Sequence, residues 1–284
     1  MTDVRLTATE TPAPSSSGGS KDADDLALSL DIAAAAGRLL MERYERVERV
    51  DYKSARDIVT EVDHLSEELI IAAIRARHPA DGILAEESGA QATGAGDAAA
   101  SGRGRVWIID PVDGTINYAN GIPVFCVSIG LAIDGRPAVG VVLDPTRQDF
   151  FAATADGPAT LNGTPITVSD KETLTDFVVS ASLAGRSVAS RARNLRKAIR
   201  ISRSMGSAAL ALAYVANGRF DAFVQQGGMS IWDVAAAGLV AERAGATVTD
   251  AAGGRWFDIG RGSRSVSVVA APPGHHARIL ELTR

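Results

Sequence analysis

The chain has 284 residues, 29 Lys plus Arg against 34 Asp plus Glu, 46% hydrophobic residues and a single cysteine. That is enough apolar material for a large core, and no run reaches the roughly 18 to 20 apolar residues that cross a bilayer. The mildly acidic balance argues against nucleic-acid binding, which needs Lys and Arg on phosphates, and lone Cys126 excludes an internal disulfide or a thiolate-rich metal site.

Residues 1–23 are rich in Ser, Thr, Pro, Gly and Asp, too poor in apolar side chains to offset ordering, and are expected to form a disordered tail. They carry no basic segment followed by an apolar one, so the expected location is the cytoplasm. From Asp24 the apolar series Leu26, Leu28, Leu30, Ile32, Ala33, Ala36, Leu39, Leu40 and Tyr44 predicts a long helix, interrupted in pattern by Gly37. After a polar link, Leu65, Leu69, Ile70, Ala73 and Ile74 predict a second helix that starts near Asp63 and stops at His78-Pro79. Two short apolar runs, 82–85 and 106–109, read as buried strands. Between them 90–104 is a Gly, Ala and Ser tract, expected to be a surface loop.

Strands over 124–133, 138–143 and 150–153, with a hairpin turn at Asp134-Gly135, predict a meander. Downstream the pattern alternates: strand 177–180, helix 206–216, strand 222–224, helix 234–244, strands 247–249 and 266–270. Such alternation implies a layered α/β fold.

Four acidic sites stand at element ends: Glu86-Glu87 after the first short strand, Asp110-Pro-Val-Asp113-Gly-Thr115 after the second, Asp63 at a helix start and Trp232-Asp233 at another. Taken singly, Asp63 and Asp233 read as helix N-caps and Glu87 as a solvated acid. The hexapeptide carries more weight. Pro111 fixes φ and removes a donor, which holds Asp110 and Asp113 on one side of the turn, and Gly114 lets the backbone approach a ligand. The N–H groups of Gly114 and Thr115 are suited to phosphate oxygens. Asp110, Asp113, Glu86 and Asp233 in one pocket repel each other and exclude a phosphate dianion unless a cation intervenes. All-oxygen ligands select a hard cation, with Mg²⁺ the usual partner of carboxylates plus phosphate. His64, His78, His275 and His276 have no zinc-site spacing, and the adjacent pair near the C-terminus is expected at the surface. No G-x-S-x-G elbow offers a serine nucleophile, which leaves metal-activated water.

These pieces resemble the inositol monophosphatase family of Mg²⁺-dependent, lithium-sensitive phosphatases, within the larger group that includes fructose bisphosphatases. The matching segments are Lys53 with 57–63, Ala85-Glu86-Glu87-Ser88, the segment 107–118, Gly206-Ser207-Ala208-Ala209 and Trp232-Asp233 with the three residues that follow. The resemblance implies a layered αβαβα sandwich of the sugar-phosphatase kind, an α/β architecture with an N-terminal α+β lobe over 24–155 and a C-terminal α/β lobe over 156–284. It implies one Mg²⁺ on Glu86, Asp110 and the Val112 carbonyl, a second on Asp110, Asp113 and Asp233, and a third cation near Glu86 and Asp63. It further implies phosphate held by Gly114 and Thr115, a Thr115–Asp63 relay, water activation helped by Glu86, and a homodimer. Ser207 and Ala208 would shape the substrate side, and Lys53 would lie over the metal loop.

Where many inositol-acting members carry an acid seven residues before the Trp-Asp aspartate, this chain has Gln226, which can still pair with substrate hydroxyls. The expected substrate is a small phosphorylated polyol, inositol 1-phosphate first. Histidinol phosphate, 3′-phosphoadenosine 5′-phosphate and fructose 1,6-bisphosphate are the alternatives, the bisphosphates calling for a basic cluster such as Arg186, Arg191, Arg193, Arg196 and Lys197. A regulatory binding protein with this fold and little turnover is the rival from another class. Trp107 and Trp232 are expected to pack beside the acids, and Cys126 to be a small buried residue.

Overall fold

The computed structural model describes residues 18–47, 49–54, 57–91, 104–183, 188–261 and 264–284. The first apolar series forms α1 (Gly18–Arg43), with Ile32, Ala33, Ala36 and Leu40 buried. These positions recur at helical spacing along one face. The helix starts six residues before Asp24, so part of the expected tail is helical, and 1–17 lie outside the described residues. Gly37 is what seats the helix, because a Cβ there would stand 2.5 Å from the Leu143 side chain.

A hairpin of β1 (Val50–Ser54) and β2 (Asp57–Thr60) leads into α2 (Glu61–Arg77). Thr60, not Asp63, is the N-cap. Its hydroxyl accepts the Val62 N–H at 3.2 Å while the Asp63 carboxylate accepts the Thr60 N–H at 2.9 Å, a reciprocal box that satisfies two buried donors at the helix start. The Lys53 side chain lies outside the described residues, as does most of the loop expected over 90–104.

The large sheet has eight strands in the order β10-β9-β8-β7-β6-β5-β3-β4. They are β3 (Gly82–Ala85), β4 (Gly89–Gln91), β5 (Arg105–Asp113), β6 (Cys126–Ile133), β7 (Arg136–Asp144), β8 (Asp149–Thr154), β9 (Thr160–Leu161) and β10 (Thr164–Pro165). β6 to β8 form the expected antiparallel meander, and β5 adds to it by pairing antiparallel with β6. Asp134 and Gly135 turn it at φ of 49° and 72°, the left-handed pair that a two-residue hairpin requires. β3 and β5 are parallel, so their C-terminal ends emerge side by side. A short helix, α3 (Thr115–Ala119), follows β5.

The second sheet orders five strands as β12-β11-β13-β15-β14, namely β11 (Val178–Ser182), β12 (Ile201–Arg203), β13 (Ala222–Met229), β14 (Thr247–Thr249) and β15 (Val266–Ala271). Helices α4 (Val188–Ala198), α5 (Ala208–Ala216), α6 (Ala235–Arg243) and α7 (Pro273–Thr283) complete the chain. Three cores separate the layers. One joins α1 and α2 to the large sheet, a second packs α5 and α6 between the two sheets, and a third covers the small sheet with α4 and α7. The architecture is therefore the expected αβαβα sandwich. α5 and α6 are apolar nearly all round because both of their sides are buried.

α4 and α7 were absent from the sequence pattern. α7 also moves the paired histidines inward: His276 is buried with Nε2 3.0 Å from Thr249 Oγ1, and burial pushes its pKa down, contrary to the expected surface location. No helix among the described residues is long and apolar enough to cross a membrane.

Candidate active site

The parallel pairing of β3 and β5 carries Glu86 and Asp110 to the same edge, where the Glu86 N–H donates to the Ile109 carbonyl at 3.2 Å. β5 then runs through Pro111, and its register against β6 slips between Asp110 and Asp113. Proline in a paired strand needs such an irregularity, having no N–H to give. Within it the Asp110 Oδ1 accepts the Val112 N–H at 3.1 Å. Gly114 sits at φ 101°, and a Cβ there would meet the Val124 carbonyl oxygen at 3.0 Å, so both backbone conformation and space demand glycine.

The other half of the site comes from the C-terminal region. The Asp113 carboxylate accepts from the Ser207 hydroxyl at 2.6 Å and from the Ala208 and Ala209 N–H groups at 3.1 and 2.7 Å, which joins β5 to the first turn of α5. Ser207 and Ala208 thus pack and face the cavity at once. Asp233 is not the N-cap of α6; it stands one residue before it and accepts the Ser230 N–H at 2.7 Å. α6 lies close on the large sheet because Gly130 and Gly140 face it, a Cβ at Gly140 standing 2.6 Å from the Ala236 carbonyl oxygen.

Carboxylate oxygens of Asp110, Asp113 and Asp233 all lie within 4.8 Å of one another. Glu86 borders the same cavity, and its charge acts on Asp110. Burial, followed by the charges of Glu86, Asp113 and Asp233, drives the Asp110 carboxyl well above the usual carboxylate range. Asp233 is pushed well up by burial and then by Asp113. For Asp113 burial also raises the pKa, opposed by the Ser207, Ala208 and Ala209 donors. Three aspartates kept this close stay deprotonated together only if a cation neutralises them.

Their donor set fits a hard divalent ion: every candidate ligand is oxygen, and no histidine joins the cluster among the described residues. Cys126 lies 3.6 Å from Asp113, yet burial and that neighbour push its thiol well up, which leaves it a protonated packing residue.

Asp63 is fully buried behind this edge, where burial raises its pKa against the pull of its Thr60 and Thr115 donors. Its Oδ1 stands 2.9 Å from the Thr115 hydroxyl, which is also 3.0 Å from the Val112 carbonyl oxygen. The expected Thr115–Asp63 contact is therefore present, and Asp63 reaches the site through Thr115.

A cavity of about 530 Å³ opens over the cluster, with Glu86, Asp110, Asp113, Asp233, Gly114 and Thr115 at one end. Ser180, Ser182, Gln225 and Arg264 line the rest, with Trp232 on the wall as well as against the core between the sheets. Gln226, expected on the substrate side, faces the other way: its side chain bonds to Arg191 and to the Thr283 carbonyl. Successive strand residues point to opposite faces, so Gln225 occupies the cavity wall instead. The basic cluster expected to serve a second phosphate is also elsewhere. Arg191, Arg193, Arg196 and Lys197 lie on α4 away from the cavity, and Arg186 is outside the described residues.

Sequence reasoning missed Gln225 and Arg264. Alternation along β13 offered a signal for the first. Arg264, at φ 62° with its N–H on Ser230 Oγ at 3.1 Å, sits in a Gly, Arg and Ser run with no pattern to mark it.

The family model of the inositol monophosphatase family matches residues 22–284. The chain is 38% identical over 244 residues to "Nus factor SuhB" of Pseudomonas aeruginosa, covering 82% of this chain and 87% of that one. To "Inositol monophosphatase 1" of Solanum lycopersicum it is 36% identical over 241 residues, covering 82% and 86%. The crystal structure of the extragenic suppressor protein suhB from Bartonella henselae superposes with a TM-score of 0.83 at 31% identity, over 92% of this chain and 98% of that one. Sequence motifs, sandwich and acid cluster agree, and the chain belongs to the inositol monophosphatase family.

Proposed function

We propose that the protein is a Mg²⁺-dependent phosphate monoester hydrolase that acts on a small phosphorylated polyol, inositol 1-phosphate first. Membership of a metal-dependent phosphatase family supports phosphatase chemistry. The observation that carries the reading is the meeting of Glu86, Asp110, Asp113 and Asp233 at one end of a polar cavity of about 530 Å³.

Glu86, Asp110 and the Val112 carbonyl would hold one Mg²⁺, and Asp110, Asp113 and Asp233 a second, with Glu86 and Asp63 beside a third, weaker position. Bound there, the ions would offset phosphate charge, acidify water and stabilise both the entering and departing oxygens of an in-line displacement. The Gly114 and Thr115 N–H groups precede the first intrahelical bond of α3, from the Tyr118 N–H to the Gly114 carbonyl, and suit the phosphate oxygens. By donating to Asp63, the Thr115 hydroxyl leaves its lone pairs toward the cavity to take part in orienting a water. Glu86 accepts that water's proton. Ser207, Ala208 and, in place of Gln226, Gln225 face the substrate hydroxyls.

In the same reading the protein works in the cytoplasm as a homodimer, without a nucleic-acid or membrane partner; sedimentation velocity at twice the monomer mass checks the dimer. A second reading, a regulatory protein with little turnover, is favoured by the name "Nus factor SuhB" of a 38% identical relative. Phosphate release from purified protein decides. Release from inositol 1-phosphate that requires Mg²⁺ supports the hydrolase, full release in EDTA overturns the metal chemistry, and no release on any of the four candidate substrates favours the regulatory reading.

A further inference from the structure

We propose that Glu67 is a positioning residue for the Glu86 end of the metal site. The inference rests on the reading of Glu86 as a metal ligand. Glu67 lies on α2, one helical turn beyond Asp63 and on the same buried face, and is only 3% exposed. One of its carboxylate oxygens accepts the Glu87 N–H at 2.8 Å and the other accepts the Ser88 N–H at 2.9 Å. Those two peptide groups form the turn that directly follows Glu86, between β3 and β4. With both oxygens engaged, the turn is fixed in rotation as well as distance, and the direction in which Glu86 leaves the sheet is fixed with it.

The choice of an acid is informative. A carboxylate buried a turn away from Asp63 adds negative charge to a region already crowded with it, and a neutral acceptor would cap the turn at lower cost. An ionised acceptor bonds two N–H groups roughly twice as strongly as a neutral one, which suits a turn that must hold its aim when a divalent ion pulls on the neighbouring side chain. Outer partners of metal ligands commonly act in this way, and their loss weakens metal binding by roughly 10- to 100-fold. Ser66, the preceding residue, donates its hydroxyl to the Pro111 carbonyl at 3.2 Å, so the same helix face also supports the Asp110–Asp113 turn.

The test is Mg²⁺ binding to the full-length protein by titration calorimetry, for the natural chain, Glu67→Ala, Glu67→Gln, Glu86→Gln and the Glu67→Gln, Glu86→Gln double variant, with phosphate release from inositol 1-phosphate alongside. Glu67→Ala should weaken Mg²⁺ binding about 10-fold or more, and Glu67→Gln, which keeps one acceptor, should lose less. In the Glu86→Gln background the second substitution should cost less than twofold, because its effect passes through Glu86. If Glu67→Ala does not fold, the isosteric Glu67→Gln carries the same comparison. Unchanged Mg²⁺ binding in a folded Glu67 variant, or equal weakening with and without Glu86, overturns the proposal. A natural chain that binds no Mg²⁺ overturns the phosphatase reading instead.

Discussion

Replacing Asp110 by Asn should stabilise the metal-free protein and abolish its response to Mg²⁺. In the cluster, Asp110 has Asp113 and Asp233 oxygens within 4.8 Å. At an effective dielectric near 20, two unit charges at that separation repel by about 3.5 kcal/mol. Protonation of the metal-free cluster relieves most of this, since burial and the neighbouring acids already raise the Asp110, Asp113 and Asp233 pKa values. A residual gain of about 1–3 kcal/mol is expected, equivalent to a melting rise of roughly 2–5 °C for a chain of this size. The amide keeps the acceptor for the Val112 N–H, now met at 3.1 Å, so no buried donor is orphaned.

The pH dependence has a definite sign. A carboxyl whose pKa is raised by folding favours the fold while protonated, and that contribution is lost as pH rises from the ordinary carboxylate range through the raised value. The Asn variant's advantage in EDTA should therefore grow between pH 5 and pH 8. Mg²⁺ must displace the same protons, so its stabilisation of the natural chain should also grow over that interval. Differential scanning calorimetry of both proteins, in EDTA and in Mg²⁺, reads all four quantities. A variant that melts below the natural chain in EDTA, or a natural chain indifferent to Mg²⁺ at pH 8, would refute the reasoning.

Thr115→Ala removes the hydroxyl that touches Asp63 and should lower phosphate release roughly 100-fold, while titration calorimetry finds Mg²⁺ affinity nearly unchanged. Gly140→Ala should cost about 1–3 kcal/mol by overpacking against α6, seen as a lower melting temperature, and should lower kcat as well because α6 follows Asp233 directly. Gln225→Ala should raise KM roughly 2- to 10-fold, the worth of one hydrogen bond. Gln226→Ala should leave KM alone and lower the melting temperature, since its partners are Arg191 and Thr283; the reverse pattern in steady-state kinetics would return Gln226 to the substrate side.

The acidic end of the site was legible because its chemistry is local. Two acids, a proline and a glycine within Asp110–Thr115 follow a strand of continuous apolar residues, and each residue type has its own backbone consequence. The wall opposite was not, and Gln226 shows why. Counting back seven residues from Asp233 assumes an unbroken strand, but Gly227 and Gly228 adopt φ of 76° and 79°, and the pairing with β15 shifts register between Gln225 and Met229. Such a bulge changes which side chain faces the cavity without leaving a mark in hydrophobic periodicity. α4 escaped for a different reason: Leu195 is its only fully buried residue, so an apolar stripe never forms. Glu67 was hidden by its partners, since both are backbone N–H groups of a turn about twenty residues away.

How the acids are held says what they are for. Asp113 is fixed by Ser207 and two N–H groups of α5, Asp233 by the Ser230 N–H, and Asp63 by Thr60 and Thr115. All of these donors are neutral. Elsewhere the chain satisfies buried acids with cations, as Arg105 does for Asp25 and Lys171 does for Asp221. Lys or Arg beside Asp110, Asp113 and Asp233 would have been the simplest way to lower their pKa values, yet among the described residues no cationic side chain ranks among the leading influences on them. Neutral donors fix the direction of each carboxylate and leave its charge uncompensated. A site built in that way suits a cation from solution, and the same uncompensated charge is what makes the metal-free fold give up stability as the pH rises.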